Sequence, residues 1–228
     1  MSNTKSNSIN IIKTLTEVFF DEDDYNTSIK GGTFFIYNKS EEPCLSFSVH
    51  MKKNSPPEII IDTLKNCTSL TTINNKIGTG SHTIKLLVEL TRQLRKYQGF
   101  EQTELIVKID TSRLFIHEKV LYLSVLYILT KGKSWYNSLG FYEENYKENY
   151  KKALKYILQP IKGKKNETIQ SYYTYIFTRI KKLSEIIFLN DEQTKELNKY
   201  AELLDNQSKS IKYLFKESDK FTDLKYRF

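Results

Sequence analysis

Two short glycine-containing runs and a scatter of carboxylates and imidazoles carry the chemistry this chain could do. Asn75-Lys76-Ile77-Gly78-Thr79-Gly80-Ser81 stands directly before a strongly periodic helix. Gly78 and Gly80 permit positive φ and let a ligand approach the backbone without obstruction by Cβ. From Ser81 onward, the unpaired N–H groups and dipole of a helix start suit an anion such as pyrophosphate, and Lys76 adds charge. The same run also fits a tight strand-to-helix turn with no ligand. The second run, Tyr136-Asn137-Ser138-Leu139-Gly140-Phe141, follows Trp135, which reads as a packing residue. Glu58 and Asp62 sit on a predicted strand ahead of the first run, with His50, Glu104 and Asp110 on neighbouring strands. Such groups can move a proton, and each also fits an ordinary role as a solvated or capping side chain. His82, in the first turn after the glycines, suits a surface position or a phosphate contact. His117 has no paired nucleophile, and no Ser/His/Asp or Cys/His spacing points to hydrolysis.

These residues need a scaffold, and hydrophobic periodicity supplies its outline. Ile11, Ile12, Leu15, Val18 and Phe19 predict a helix over Ser8 to Phe20. An acidic turn, Asp21 to Asp24, follows, and Gly31-Gly32 introduces three β-rich runs, Thr33 to Tyr37, Cys44 to Met51 and Glu58 to Leu64. Leu45, Phe47 and Val49 alternate with polar residues, as a strand with one buried face does. Asn54-Ser55-Pro56-Pro57 is turn chemistry, so an antiparallel meander is expected. Ile84, Leu87, Val88, Thr91 and Leu94 mark one helix face, with Gly99 placed to stop it, and Thr103 to Asp110 reads as a buried strand. The strands on either side of that helix then form a βαβ unit and lie parallel.

Residues 119 to 130 read as a further apolar helix, and after Phe141 the character changes. Glu143 to Phe228 shows no strong strand alternation. Ile169, Tyr172, Tyr173, Ile176, Phe177, Ile180, Leu183 and Ile187 define one broad apolar helical stripe. A second helix starts after Asn190, with Gln193 placed for a capping box and apolar residues at Leu197, Ala201, Leu204, Ile211 and Phe215. The expected architecture is an α/β domain over residues 1–142 and a helical hairpin extension over 143–228.

Composition narrows the classes. With 228 residues, 39% of them apolar and 27% charged, the chain is too apolar for disorder and too charged for a membrane-embedded protein. Its longest nearly apolar run, Val120 to Leu129, is half of the ~20 residues a spanning helix needs. The opening MSNTKSNSINIIKTL lacks the pattern of a secretory leader, so an intracellular, cytoplasmic protein is expected. Two cysteines, Cys44 and Cys67, make neither a disulfide framework nor a metal-ligand spacing; reduced structural thiols and no metal site are expected. The abundance of Lys, Asn, Ile, Tyr and Phe reflects A/T-rich coding, which lowers the weight of the +8 net charge and raises that of the eight glycines.

The two glycine-containing runs resemble a known family. Asn75 to Gly80 is similar to the pyrophosphate loop Q/R-x-x-G-x-G/A of the GNAT N-acetyltransferases, with Asn75 standing where the family has Arg or Gln. Tyr136 to Phe141 resembles their later Y-x-x-L-G-F motif, and the phrase from Thr130 to Phe141 is similar to GNAT-like proteins of large DNA viruses. The resemblance covers residues 33 to 142. It implies a GNAT-like mixed sheet and transfer of an acetyl group from acetyl-CoA, as co-substrate, to an amine on a small molecule or a protein. It implies that Lys76, Ile77, Gly78, Thr79, Gly80 and Ser81 hold the pyrophosphate and that a strand edge near Leu64 to Cys67 takes the pantetheine. Tyr136 then protonates the departing thiolate, and Glu58 and Asp62 are the candidate bases. A viral origin places the protein in a host cytoplasm or a virion.

Two other functions are consistent with the sequence. One is a non-catalytic GNAT-like protein whose helical hairpin is an interaction surface, for a second copy or another protein. The other is nucleic-acid binding through Lys151, Lys152, Lys155, Lys162, Lys164 and Lys165, interleaved with Tyr150 and Tyr156; the charge excess there is mild, and a solvated helix-loop face is the favoured account of that cluster.

Overall fold

The computed structural model describes residues 2–20, 25–39, 41, 43–64, 79–107, 113–116, 119–161, 164–214 and 224–228. Its elements begin with α1 (Ser2–Phe19), β1 (Tyr25–Lys30), β2 (Thr33–Asn38), β3 (Pro43–His50), β4 (Glu58–Leu64), α2 (Thr79–Leu94) and β5 (Glu104–Val107). They continue with β6 (Arg113–Ile116), β7 (Lys119–Tyr122), α3 (Leu123–Lys131), α4 (Trp135–Ser138), β8 (Phe141–Tyr142) and α5 (Tyr146–Ile157). The last are β9 (Pro160–Ile161), β10 (Lys164–Thr168), α6 (Ile169–Ser184), α7 (Asp191–Leu214) and β11 (Leu224–Tyr226). The chain divides into two compact units, residues 1–108 with 225–228, and residues 109–224.

The first unit is the expected α/β arrangement, with strands in the order β1-β2-β3-β4-β5-β11. Strands β1 to β4 form an antiparallel meander, and β4 pairs parallel with β5 across the α2 crossover. β1 is an addition to the sequence reading: Tyr25-Asn26-Thr27-Ser28-Ile29-Lys30 is too polar to announce a strand. Gly31 and Gly32, at φ +59 and +83, make the two-residue turn that pairs it with β2. Positive φ at both turn residues matches the twist of the strands they join.

Residues directly opposite one another share a face, so the register identifies the core. Phe34 faces Phe47, Ile36 faces Leu45, Phe47 faces Ile61, Ile59 faces Leu105 and Ile61 faces Val107. All are buried. α2 packs on β3 and β5, and α1 on α2, burying Ile12, Phe20, Ile84, Leu87, Leu90 and Leu94. Thr16 and Thr91, also buried, donate their hydroxyls to the carbonyls of Ile12 and Leu87, both at 2.7 Å, so no polar atom is stranded there.

The second unit corrects the reading of residues 119–130 as one helix. Its first four residues are β7, paired antiparallel with β6, and the helix begins only at Leu123. Val125, Leu126 and Leu129 of α3 share one core with Tyr173, Ile176, Ile180 and Leu183 of α6 and Leu197, Tyr200, Leu204 and Ile211 of α7. The hairpin is therefore a three-helix core completed by α3. The predicted capping box is present: Asn190 N–H donates to Gln193 Oε1 at 3.0 Å and Gln193 N–H to Asn190 Oδ1 at 2.9 Å. The apolar stripe ends sooner than its spacing suggests. α6 stops at Ser184, leaving Ile187 81% and Phe188 89% exposed in the turn to α7. A bidentate bridge joins α6 to α7, Arg179 Nε to Glu196 Oε1 at 2.8 Å and Arg179 Nη2 to Glu196 Oε2 at 2.7 Å. Tyr200 donates its hydroxyl to Glu196 Oε1 at 2.6 Å.

Two outcomes follow for this core. Leu126→Ala removes a fully buried side chain between three helices and should destabilise the protein by about 2–5 kcal/mol, read from chemical denaturation. Hydrogen bonds from Arg179, then from Tyr200, hold the Glu196 carboxyl below the ordinary carboxylate range. A depressed folded-state value stabilises the fold above the unfolded-state value and loses that contribution as pH falls through the folded one. Glu196→Gln should therefore melt below wild type at neutral pH, with the difference closing as the solution is acidified below the ordinary carboxylate range.

Candidate functional site

Strand β3 carries its chemistry on the face opposite the core. Leu45 and Phe47 point into the core, so Ser46, Ser48 and His50 point the other way, as period-two alternation requires. Strand β4 brings a carboxylate to the same place through an irregularity. Phe47 pairs with Ile61 but Ser46 pairs with Thr63, so Asp62 is the extra residue of a β-bulge. A bulge bends its strand and re-aims the side chains around it, and here it sets Asp62 beside Ser48. Ser48 Oγ donates to Asp62 Oδ1 at 3.3 Å and lies 3.2 Å from His50 Nε2. The three line an open, concave pocket of about 640 Å³, shared with Thr33 and Phe35 of β2 and floored at one end by Gly31-Gly32.

Of the two candidate bases, only Asp62 reaches this group. Glu58, at the far end of β4, is held by Lys52, whose Nζ donates to both carboxylate oxygens at 2.9 and 3.2 Å. Glu104 is likewise occupied, accepting from Lys225 Nζ at 2.7 Å. His50 joins the cluster, whereas His82 is an exposed side chain on α2. Asp110 and His117 lie outside the described residues. Ser48 was not singled out by the sequence; its signal was the polar phase of the β3 alternation, which places Ser46, Ser48 and His50 on one side.

Of the cofactor-binding candidates, Thr79, Gly80 and Ser81 form the first turn of α2. Gly80 is helical there, so its contribution is the absence of a Cβ and not a positive φ. The first turn of α2 carries no carboxylate, which is the composition an anion requires. Leu64 is the last residue of β4 and pairs with Leu45 of β3. Lys76, Ile77, Gly78 and Cys67 lie outside the described residues. Cys44, expected as a reduced thiol, is disulfide-bonded.

Tyr136, in the second unit, is 6% exposed, with its ring edge-on to Trp135 at 4.9 Å and to Phe141 at 5.6 Å. Its neighbour Asn137 organises the motif. Ser134 N–H donates to Asn137 Oδ1 at 3.0 Å and Asn137 N–H to Ser134 Oγ at 3.2 Å, a capping box on α4. Asn137 Nδ2 donates onward to the Phe141 carbonyl at 2.9 Å and to Glu143 Oε2 at 3.1 Å. On α5, Lys151, Lys152 and Lys155 are exposed while Ala153 and Ile157 are buried, the pattern of a solvated helix face.

Among the described residues no group of three or more His, Cys, Asp or Glu side chains is arranged to hold a metal ion, and no helix is long and apolar enough to cross a membrane. No family model matches the chain, and no match is found among curated proteins or solved structures.

The bonds of Asn137 make a definite demand on stability. Asn137→Ala strands buried partners of its amide, a loss of about 1–3 kcal/mol for each group left unsatisfied. The variant should unfold at lower denaturant concentration than wild type, and so should Asn137→Asp, which keeps the capping acceptor but turns a carboxylate oxygen towards the Phe141 carbonyl and Glu143 Oε2.

Proposed function

We propose that this chain transfers an acetyl group from acetyl-CoA to an amine. The observation that carries this reading is the β4–α2–β5 unit. β4 and β5 pair in parallel, Glu58↔Glu104 to Ile61↔Val107, β4 carries the bulge at Asp62 and runs to Leu64, and the carboxylate-free first turn of α2 lies between them in the chain. That order fits the resemblance of Asn75–Gly80 to a pyrophosphate loop. In this reading the amides and small side chains of Thr79, Gly80 and Ser81 bind the pyrophosphate, and the backbone near Leu64 binds the pantetheine.

Asp62 takes a proton from the substrate ammonium, and the neutral nitrogen attacks the thioester carbon. The C–N bond forms, the nitrogen gives up a second proton, the C–S bond breaks, and the departing thiolate takes a proton up. A primary ammonium thus becomes an amide, acetyl-CoA becomes free CoA, and one proton goes to solvent. Glu58 is the weaker choice of base because Lys52 occupies both of its oxygens.

A second reading is favoured by the exposed pair Ile187 and Phe188. Adjacent large apolar side chains in water are what a non-catalytic interaction protein presents to a partner.

Acetyl-CoA itself separates the two. At ~100 times its dissociation constant it should stabilise the protein by about 2.7 kcal/mol, seen as a raised melting temperature. Gly80→Glu should abolish that shift through bulk and charge while leaving the unliganded melt nearly unchanged, since a glutamate suits the first turn of a helix. A wild-type protein that melts identically with and without acetyl-CoA would leave the interaction reading in its place.

A further inference from the structure

The pocket over β2, β3 and β4 is unevenly charged. Among the described residues Asp62 is the one acid that lines it, while His50 and Lys52 lie beyond the Thr33↔Ser48 pair, at the end closed by Gly31 and Gly32. Glu58 does not offset them, because Lys52 already holds both of its oxygens. Lys30 adds to the same end: it pairs with Thr33 and so stands on the outer face, and Lys53 follows Lys52 in the turn. Both are exposed and have no acidic partner among the described residues. The pocket thus has one negative end and one positive end. It is also too open to enclose a small amine, since small-molecule sites bury roughly 70–90% of their ligand's surface.

We infer that the acceptor amine is a lysine side chain of another protein, in a segment with acidic residues two or three positions away. The inference rests on the acetyl-transfer reading and names the substrate class of its amine. The lysine ammonium meets Asp62, and its methylenes lie over Ser48 towards the Phe35 ring of β2, which lines the same pocket. The substrate backbone stays outside, which an open pocket permits. From Ser48 to His50 is two residues of strand, roughly 7 Å. An extended substrate covers the same distance in two residues, so a carboxylate two or three positions from the lysine reaches the end that carries Lys30, Lys52 and Lys53. A polyamine is the wrong charge pattern for this surface: its second ammonium would meet those cations with no second carboxylate left to pair with it.

Three peptides test it. Each carries one acceptor lysine, and they differ only in the residues two and three places to either side of it, which are all Glu, all Gln or all Arg. With thiol release from acetyl-CoA as the assay, the wild type should favour the Glu peptide over the Gln peptide about fivefold in kcat/KM, through KM, and should use the Arg peptide least. The preference should shrink as salt is raised from about 0.05 to 0.5 M, because the charges involved are exposed. Lys30→Glu combined with Lys53→Glu should reverse the order and favour the Arg peptide. Without turnover, the Glu peptide alone should move the amide signals of Gly31 and Gly32 in an NMR titration, and more weakly in Asp62→Asn. An active wild type that treats the Glu and Gln peptides alike, or that acetylates spermidine faster than the Glu peptide, overturns the acidic-segment lysine and leaves acetyl transfer standing. A charge-reversed variant that keeps the wild-type order does the same. A folded wild type that neither binds acetyl-CoA nor acetylates any of these amines overturns the acetyl-transfer reading and the acceptor assignment with it.

Discussion

One extra residue in β4 sets which side chains meet on the outer face of the first unit. Up to Ile61, β4 keeps a regular register: Ile59 and Ile61 face the same side as Leu105 and Val107 of β5, while Ile60, also buried, lies on the other face beside Ile106. A strand that kept this phase would have to place Thr63 in the core, where a hydroxyl without a partner is costly. Inserting Asp62 as a bulge shifts the phase by one, so Thr63 pairs with Ser46 on the polar face. The apolar face beneath α2 stays intact and the polar face gains a carboxylate beside Ser48. Core closure and the placing of Asp62 beside Ser48 therefore share one local cause.

The second unit rests on a different constraint. α3 is apolar around most of its surface and too short to be stable alone. It is buried because α6 and α7 each present an apolar stripe and need a third partner to cover both. The polar contacts there, Arg179–Glu196–Tyr200 and Tyr156–Gln207, are satisfied pairs at the margin of the core. They fix which way the helices face one another, while burial supplies the stability.

What could be read from the sequence follows from these constraints. Strong periodicity marked α1, the meander β2–β4, α2, β5, α6 and α7, and the Asn190/Gln193 capping box placed the start of α7. Strand β1 escaped because an edge strand with one solvated face needs few apolar residues; its evidence was the Gly31-Gly32 turn, which demands a strand on each side. β7 escaped because Lys119-Val120-Leu121-Tyr122 has no period of its own and runs into α3 without punctuation. Ile187 was assigned to a stripe by spacing, but spacing has no meaning once α6 ends at Ser184. The disulfide bonding of Cys44 was invisible because it depends on geometry that the spacing of a cysteine does not encode. The site was legible in part. Asp62 and His50 were named as titratable groups on neighbouring strands, while the bulge that brings them to Ser48 is a matter of register.

The contrast between the Tyr136–Phe141 motif and the Asp62 cluster bears on how function is read from such a chain. The motif is conspicuous as a string, yet much of it is committed to local closure: Asn137 caps α4 and ties it to Phe141 and Glu143, and Phe141 and Trp135 bracket the Tyr136 ring. A sequence can carry that pattern for the sake of the turn it builds. The Asp62 cluster has the opposite character. It corresponds to no string, and its side chains cap no helix and bond to no backbone group among the described residues. Its one cross-strand bond, Ser48 to Asp62, joins β3 to β4 at the bulge, and Asp62 and His50 remain exposed to a ligand. The motif's polar atoms are thus largely taken up by its own turn, whereas the Asp62 and His50 side chains of β4 and β3 stay open to solvent.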